Sequence, residues 1–366
     1  MRVQVVDPSA YTPPYDHALC SALGSLGAEV ELVTSRFGYG SVPAPDGYAV
    51  SECFYRRAVG APGSRLRRAG KLLEHVPDML GYRRHAAAAD VVHFQWLTLP
   101  WLDADLLPRR PVVLTAHDLL PREPRPGQAW AQRRLYDRVD AVVTHSDYGR
   151  RLLAGLGVDA GKLEVIHHGA FAHSLAAREA ELPEALVAVS GPVVLFFGLL
   201  RPYKGLETLL AAWQGVSGAE LWIVGRPMMD LEPLRRLAAP SVRFVSRFVS
   251  DAELAAFFRR AEVVVLPYSR TERLDQSGVL ATALAFGRPS VVSDVGGFPE
   301  VAATGAARVV PADDPVALRA ALEDLVADPG ERGRMAAAAA AAAAGPYSWE
   351  AAARQTLALY ERLTRS

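Results

Sequence analysis

Two cations stand just beyond an apolar run in VVLFFGLLRPYKGLETLLAAW, residues 193–213. Val193 to Phe197 reads as a buried strand, and Leu206 to Trp213 has helical spacing at Leu206, Leu209 and Leu210. In an open α/β sheet, ligands bind outside the carboxyl ends of the strands. Arg201 and Lys204 therefore stand where an anion would arrive. The helix that follows opens with unpaired N–H groups and a partial positive charge. Cations beside such a helix end can hold a diphosphate. The competing explanation is that strand ends carry Arg and Lys because they are solvated.

A second anion-binding helix start is expected in DQSGVLATALAFGRPSVVSDVGGFPE, residues 275–300. Ser277-Gly278 precedes a helix of small and apolar residues, Gly278 to Phe286, and Asp275 precedes both. Asp275 can be read as a ligand-binding carboxylate or as a helix N-cap, a frequent role for Asp. Gly225-Arg226 ends the run Glu220 to Val224, and Arg226 either meets a ligand or stands on the surface.

In the first half, Leu114-Thr-Ala-His117-Asp118 ends another apolar run. His117 is a candidate for hydrogen bonding or electrostatic support, with a simple turn cap as the alternative. His93 and His145 lie near similar strand ends. The pair His167-His168 has no Cys or carboxylate cluster at ligand spacing, so no metal site is expected. Asp103-Ala-Asp105 matches an Asp-x-Asp metal signature but stands in an expected surface helix, where solvated carboxylates are the simpler reading.

These residues need a scaffold. Arg2 to Val6, the helical stretch His17 to Leu26 and the run Glu29 to Val33 form a βαβ unit, which implies a parallel sheet. Strands follow at Val91–Phe94, Pro111–Thr115, Ala141–Thr144 and Leu163–Ile166. After a strand-poor stretch from Ser174 to Ser190 the pattern restarts, with runs at Val193, Glu220, Val242, Val263 and Ser290. The expectation is an α/β protein of two doubly wound Rossmann-like domains. Their expected ranges are 1–185 and 186–345, followed by a C-terminal helix over 346–366 that crosses back. A ligand cleft is expected between them.

Composition narrows the partners. The 366 residues hold 40 basic and 40 acidic side chains, so nothing suggests a nucleic-acid binder. Only Cys20 and Cys53 are present, and reduced thiols are the expectation. The start of the chain lacks a signal-like apolar core, and no run is long enough to span a bilayer. The nine alanines from Ala336 to Ala344 read as a soluble helix stopped by Gly345-Pro346. A cytoplasmic protein is expected. The stretch Tyr55 to His85 is rich in arginine and adjoins Trp96, Leu97, Leu99 and Trp101. It reads as a solvated helix face or as a peripheral membrane contact.

The turn around Lys204-Gly205 and the segment VVSDVGGFPE resemble the donor site of the family 4 glycosyltransferases, which have the GT-B fold. Val165-Ile-His-His-Gly169 is similar to their segment before the interdomain linker. Gly345-Pro-Tyr-Ser-Trp349 is similar to the point where their last helix crosses back. The resemblance covers nearly the whole chain. It implies transfer of a sugar from a nucleotide diphosphate, most commonly UDP, to an acceptor with retention at the anomeric carbon. No metal or other cofactor is implied. Charge builds on the departing diphosphate, where preorganised cations act most strongly.

Carried onto this chain, the resemblance puts Arg201, Lys204, Ser277 and Gly278 on the diphosphate. Gly198, Arg226, Gln276, Val279 and Thr282 line the donor site, and the backbone around Phe248 and Val249 brackets the nucleobase. Asp275 binds the sugar, and His117 supports its reacting face. The chain also departs from the pattern. Leu274 and Thr282 stand where relatives carry paired glutamates, which leaves Asp275 or Glu272 to supply the sugar-facing acid. Tyr11-Thr-Pro-Pro-Tyr15 replaces a Gly-Gly turn, and its prolines stiffen the loop. Tyr15 and His17 are acceptor-site candidates there, mere exposure being the alternative for His17. The acceptor and the oligomeric state are not legible. A nucleotide-sugar epimerase and a non-catalytic sugar-nucleotide-binding subunit are the rival readings.

Overall fold

A computed structural model describes residues 1–38, 40, 42–61, 63–120, 126–171 and 182–365, apart from the Asp251 side chain. The chain divides into two compact units, residues 1–167 with 349–366, and residues 168–348. The sequence reading put this boundary near 185, in a linker whose residues 174–181 lie outside the described ones. The division falls earlier because the chain after His168 is already tied to the second unit, where the Ala170 N–H donates to the Tyr347 carbonyl at 2.7 Å.

The first unit contains β1 (Arg2–Asp7), α1 (Pro13–Ser25), β2 (Glu29–Ser35), β3 (Ala49–Phe54), α2 (Arg65–His85) and β4 (Val91–Phe94). It continues through α3 (Pro100–Leu106), β5 (Val112–Thr115), α4 (Gln128–Arg138), β6 (Ala141–Thr144), α5 (Asp147–Gly155) and β7 (Leu163–Val165). The strands form one parallel sheet in the order β3-β2-β1-β4-β5-β6-β7. The strand order reverses between β1 and β4, the point at which doubly wound sheets open a ligand crevice.

The second unit holds α6 (Glu184–Val187), β8 (Val193–Phe197), α7 (Leu206–Trp213), β9 (Glu220–Val224), α8 (Glu232–Leu237) and β10 (Val242–Val245). Next come α9 (Asp251–Arg260), β11 (Val263–Leu266), α10 (Gly278–Ala285), β12 (Ser290–Ser293), α11 (Phe298–Ala302) and β13 (Ala307–Val310). Helices α12 (Pro315–Ala327) and α13 (Pro329–Ala344) complete it, and α14 (Trp349–Arg365) belongs to the first unit. Its parallel sheet runs β10-β9-β8-β11-β12-β13, with its own reversal between β8 and β11.

Both sheets are covered on both faces, as parallel sheets must be. In β8 the side chains alternate between two cores: Val193 and Leu195 pack with Trp222 and Phe257, whereas Val194 and Phe196 pack with Ile223 and Leu209. Strands β3 and β13 escape the sequence reading because each is an edge strand with mixed burial and only a weak apolar run. The alanine run forms the end of α13, with Ala339 and Ala342 buried.

The prolines near the start act differently from expectation. Pro13 and Pro14 are not a stiff loop but the first turn of α1, where a missing N–H costs nothing and φ is already helical. Tyr15 and His17 are therefore helical and buried, at 4% and 7% exposure. The alternative of an exposed His17 is corrected: its Nδ1 meets the Tyr48 hydroxyl.

Candidate active site

The second unit brings its cations together at the β8–β11 reversal. After β8, Leu200 drops into the core and pairs through its backbone with Arg226 and Pro227. That anchor fixes the direction of Arg201, and a single 3₁₀ turn, Pro202–Lys204, then delivers Lys204. Lys204 is only 6% exposed. Its Nζ lies 5.3 Å from the centroid of the Tyr268 ring, a cation–π contact in a desolvated setting. Arg201 Nε is buried with no hydrogen-bond partner among the described residues. A buried donor left unpaired costs free energy unless something accepts from it.

Gly198 makes the approach possible. Its φ is +108°, and a Cβ there would lie 2.9 Å from Lys204 Nζ, so the ammonium rests against bare backbone. Gly225, at φ +146°, lies close in turn: a Cβ on it would come within 1.9 Å of the Gly198 carbonyl oxygen.

The start of α10 faces the same edge. Ser277 caps it, accepting from the Val279 N–H at 3.3 Å, and its Oγ lies 3.1 Å from the Tyr268 hydroxyl. Tyr268 thus joins the lysine turn to the helix cap. Sequence reasoning missed it, although its place directly after β11 at the reversal was available as a signal.

Since Ser277 is the cap, the N-cap alternative for Asp275 is set aside. Asp275 is fully buried, and its carbonyl accepts from the Gly297 N–H at 2.8 Å. Gln276 reinforces this tie, donating from Nε2 to the Gly297 carbonyl at 3.1 Å and accepting from the Ser277 N–H at 3.2 Å. The DVGG loop is thereby fastened to the segment entering α10. Thr282 donates its hydroxyl proton back to the Gly278 carbonyl at 2.8 Å, which spends its donor on the helix.

The remaining donor-side candidates are placed variously. Val279 stands beside Gly198, where its Cγ2 would lie 3.2 Å from an added Cβ. Arg226 and Phe248 are exposed, Val249 is half-buried on the core, and Glu272 is exposed while Leu274 is half-buried.

The first unit gathers a separate cluster at the ends of β4, β5 and β6. His145 Nδ1 lies 3.0 Å from the Ile166 carbonyl, which can only accept, so this nitrogen carries a proton. In the neutral ring Nε2 then accepts from His117 Nδ1 at 3.4 Å. His117 Nε2 meets the Gln95 side chain at 3.1 Å. As oriented, the Gln95 amide offers its oxygen and leaves its nitrogen unpaired. Turning the amide over lets it donate and completes a one-directional chain from Gln95 to Ile166. Trp96 stacks on His117 at 5.2 Å, and Tyr15 meets it edge-on at 4.7 Å. His117 is therefore firmly oriented by partners of its own unit. Tyr15 also packs against Trp349 at the start of α14.

Other candidates are structural. His93 is buried between the Tyr360 hydroxyl at 2.6 Å and Thr115 Oγ1 at 2.8 Å, and burial pushes its pKa down to about 3. His168 is likewise pushed down to about 4 by burial. Asp103 corrects the reading of a solvated Asp-x-Asp: it is wholly buried and bonds His75 Nε2 at 2.6 Å, while His75 Nδ1 meets the Tyr55 hydroxyl at 2.7 Å. Asp105 is the exposed partner of Arg134. After β1, Asp7 accepts from the N–H groups of Ser9, Tyr11 and Thr12, and burial beside it raises the Asp16 carboxyl well above the usual range. Among the described residues no three His, Cys, Asp or Glu side chains gather as a metal site, and no helix is long and apolar enough to cross a membrane.

Known proteins resemble this chain in sequence and in fold. Residues 15–170 match the family described as Glycosyltransferase Family 4, and residues 191–328 match Glycosyl transferases group 1. A D-inositol 3-phosphate glycosyltransferase from Kineococcus radiotolerans is 28% identical over 94% of this chain and 88% of its own length. The sucrose-phosphate synthase of Thermosynechococcus elongatus superposes with a TM-score of 0.76 at 19% identity, covering 100% of this chain and 99% of that one. Anabaena HepE in complex with UDP-glucose superposes at 0.75 with 18% identity, covering 99% and 100%.

Proposed function

Because the chain belongs to the family 4 glycosyltransferases and has the GT-B fold, we propose that it transfers a sugar from a UDP-sugar to a hydroxyl acceptor with retention of anomeric configuration. Glycosyl transfer follows from the family; the donor, the stereochemistry and the residue roles are the proposal. The observation that carries the donor site is the pair of cations beyond the end of β8, the buried Lys204 and the half-buried Arg201, whose buried Nε has no partner among the described residues.

In this reading the diphosphate lies against Arg201 and Lys204 and receives N–H groups from the start of α10. As the bond to the anomeric carbon breaks, charge gathers on the leaving phosphate, where fixed cations in a desolvated setting stabilise it most. That placement needs no metal ion. The leaving phosphate accepts the acceptor's proton, so no enzymic nucleophile is required. Asp275 holds the sugar through the rigid segment tied to Gly297, and His117 is the proposed sugar-facing group of the first unit. Arg226 and the backbone at Phe248 and Val249 remain the proposed base-side contacts, and Tyr15 the acceptor-side aromatic. The UDP-glucose bound by the similar HepE supports uridine as the base to test first.

The test is calorimetric binding of UDP, GDP, ADP and TDP to the wild type and to Lys204→Ala, with EDTA present and absent. UDP binding that needs no metal and is weakened by the substitution is expected. Preference for another base would replace the donor, and binding of none would remove the donor site.

A further inference from the structure

Helix α2 has two unlike faces. Inward it buries His75, Met79 and Tyr82. Its two acids are also spent locally: Glu74 accepts from the Arg57 N–H at 3.0 Å, and Asp78 accepts from the Tyr55 N–H at 2.7 Å. Outward, Leu66, Leu73 and Leu80 recur at a helical spacing that puts them in one stripe. They are 64%, 80% and 43% exposed, and Leu72 beside them is 59% exposed. Single exposed leucines are ordinary, but a contiguous apolar stripe on a surface marks an interaction site.

Arginines stand at both ends of the helix. Among the described residues, Arg65, Arg68, Arg83 and Arg84 form no ion pair with a carboxylate. Acids around the end of the helix have other partners: Glu31 pairs with His85 of the last turn, Asp90 with Arg2, and Asp105 with Arg134. At that end Leu80 and Ala87 join Arg83, Arg84, Arg109 and Arg110 around an open pocket of about 490 Å³. Arginines suit phosphate because their planar fork presents several donors and is weakly hydrated.

We propose that this face of α2 docks the protein on an anionic lipid bilayer. The leucines enter the boundary between headgroups and acyl chains, the arginines meet lipid phosphates, and the pocket at Arg83 and Arg109 takes one headgroup. Charge complementarity selects this occupant. A second copy pairing through the same stripe would bring two arginine-rich helices together, and a nucleic acid would leave the leucines uncovered. The inference is independent of the reaction proposed above.

The experiment is co-sedimentation of the full chain with vesicles of phosphatidylcholine alone and of phosphatidylcholine mixed with phosphatidylglycerol, at low and high salt. The wild type should sediment with the mixed vesicles, less so at high salt. Arg83→Gln/Arg84→Gln should weaken that partitioning about thirty-fold, and Leu66→Ser/Leu73→Ser at least about tenfold. Because Leu66, Leu73 and Arg84 are exposed and half-buried Arg83 makes only one long hydrogen bond, to the Asp105 carbonyl at 3.5 Å, both variants should keep the wild-type circular dichroism and stay close to the wild-type melting curve. Four outcomes would overturn the proposal: no sedimentation, equal binding to the two vesicle types, variants that bind like the wild type, or a concentration-dependent dimer abolished by the leucine changes.

Discussion

Lys204 Nζ stands 5.3 Å from the Tyr268 ring centroid, and the Tyr268 hydroxyl reaches the Ser277 cap of α10 at 3.1 Å. One aromatic side chain thus couples the cationic turn after β8 to the helix start across the sheet reversal. The ring and the hydroxyl can be tested separately. Tyr268→Phe keeps the ring under the ammonium and removes one hydrogen bond, so stability should fall by about 1 kcal/mol with UDP affinity nearly intact. Lys204→Met removes the charge and should lower turnover by roughly 10²–10³, the usual effect of losing one preorganised donor to a developing anion. Calorimetry and donor-hydrolysis rates give both readings. Wild-type turnover in Lys204→Met would sink the assignment.

Gly198 and Gly225 touch each other, yet they should fail differently. An added Cβ at Gly198 meets the far end of a flexible lysine, whereas one at Gly225 meets backbone at 1.9 Å. Gly198→Ala should therefore fold, at reduced stability from its left-handed φ, and lose UDP affinity as Lys204 is displaced. Gly225→Ala forces the β8 and β9 ends apart and should lower the melting temperature most. A Gly198→Ala protein that binds UDP like the wild type would mean that Lys204 does not act from this position.

Asp103 lies at the bottom of a buried row, with His75 and Tyr55 above it. Asp103→Ala leaves a buried imidazole without its carboxylate and should cost roughly 3 kcal/mol. Asp105→Ala removes an exposed partner of Arg134 and should leave the urea midpoint almost unchanged. Equal midpoints for the two variants would contradict the burial of Asp103.

Two histidines should make the fold sensitive to acid. His93, in the first unit, and His168, in the second, have folded pKa values of about 3 and about 4, against an ordinary value near 6.5. Between those values the unfolded chain binds protons that the folded chain refuses. Their contribution is thus complete above pH 6.5 and is lost as the pH falls toward 4, by about 2 kcal/mol each at pH 5. Asp16, whose carboxyl burial and the neighbouring Asp7 raise well above the usual range, acts in the opposite direction. NMR titration of the imidazoles isolates the effect: two rings should stay neutral at pH 5. If every imidazole titrated near 6.5 in the folded protein, the prediction would fail.

Much of the scaffold was legible because a parallel sheet covered on both faces writes itself as short apolar runs separated by helical spacing. Val193–Phe197, Glu220–Val224 and Val263–Leu266 could be read directly, and with them the position of Arg201 and Lys204 at a strand end. The edge strands β3 and β13 could not, since half-exposed positions carry little apolar signal. Pro13 and Pro14 were misread because the same restriction on φ suits both a stiff loop and a helix start.

The sequence by itself determined the alternation of strands and helices, two α/β units, and cations placed beyond the carboxyl end of β8. Those properties depend on residues close together along the chain. Only the tertiary structure decided that Tyr268 lies under Lys204, that Thr282 turns its hydroxyl into its own helix, and that Asp103 is buried beside His75 while Asp105 faces water. Burial and hydrogen-bond partnership are set by groups that folding brings together from distant positions, and no local spacing encodes them.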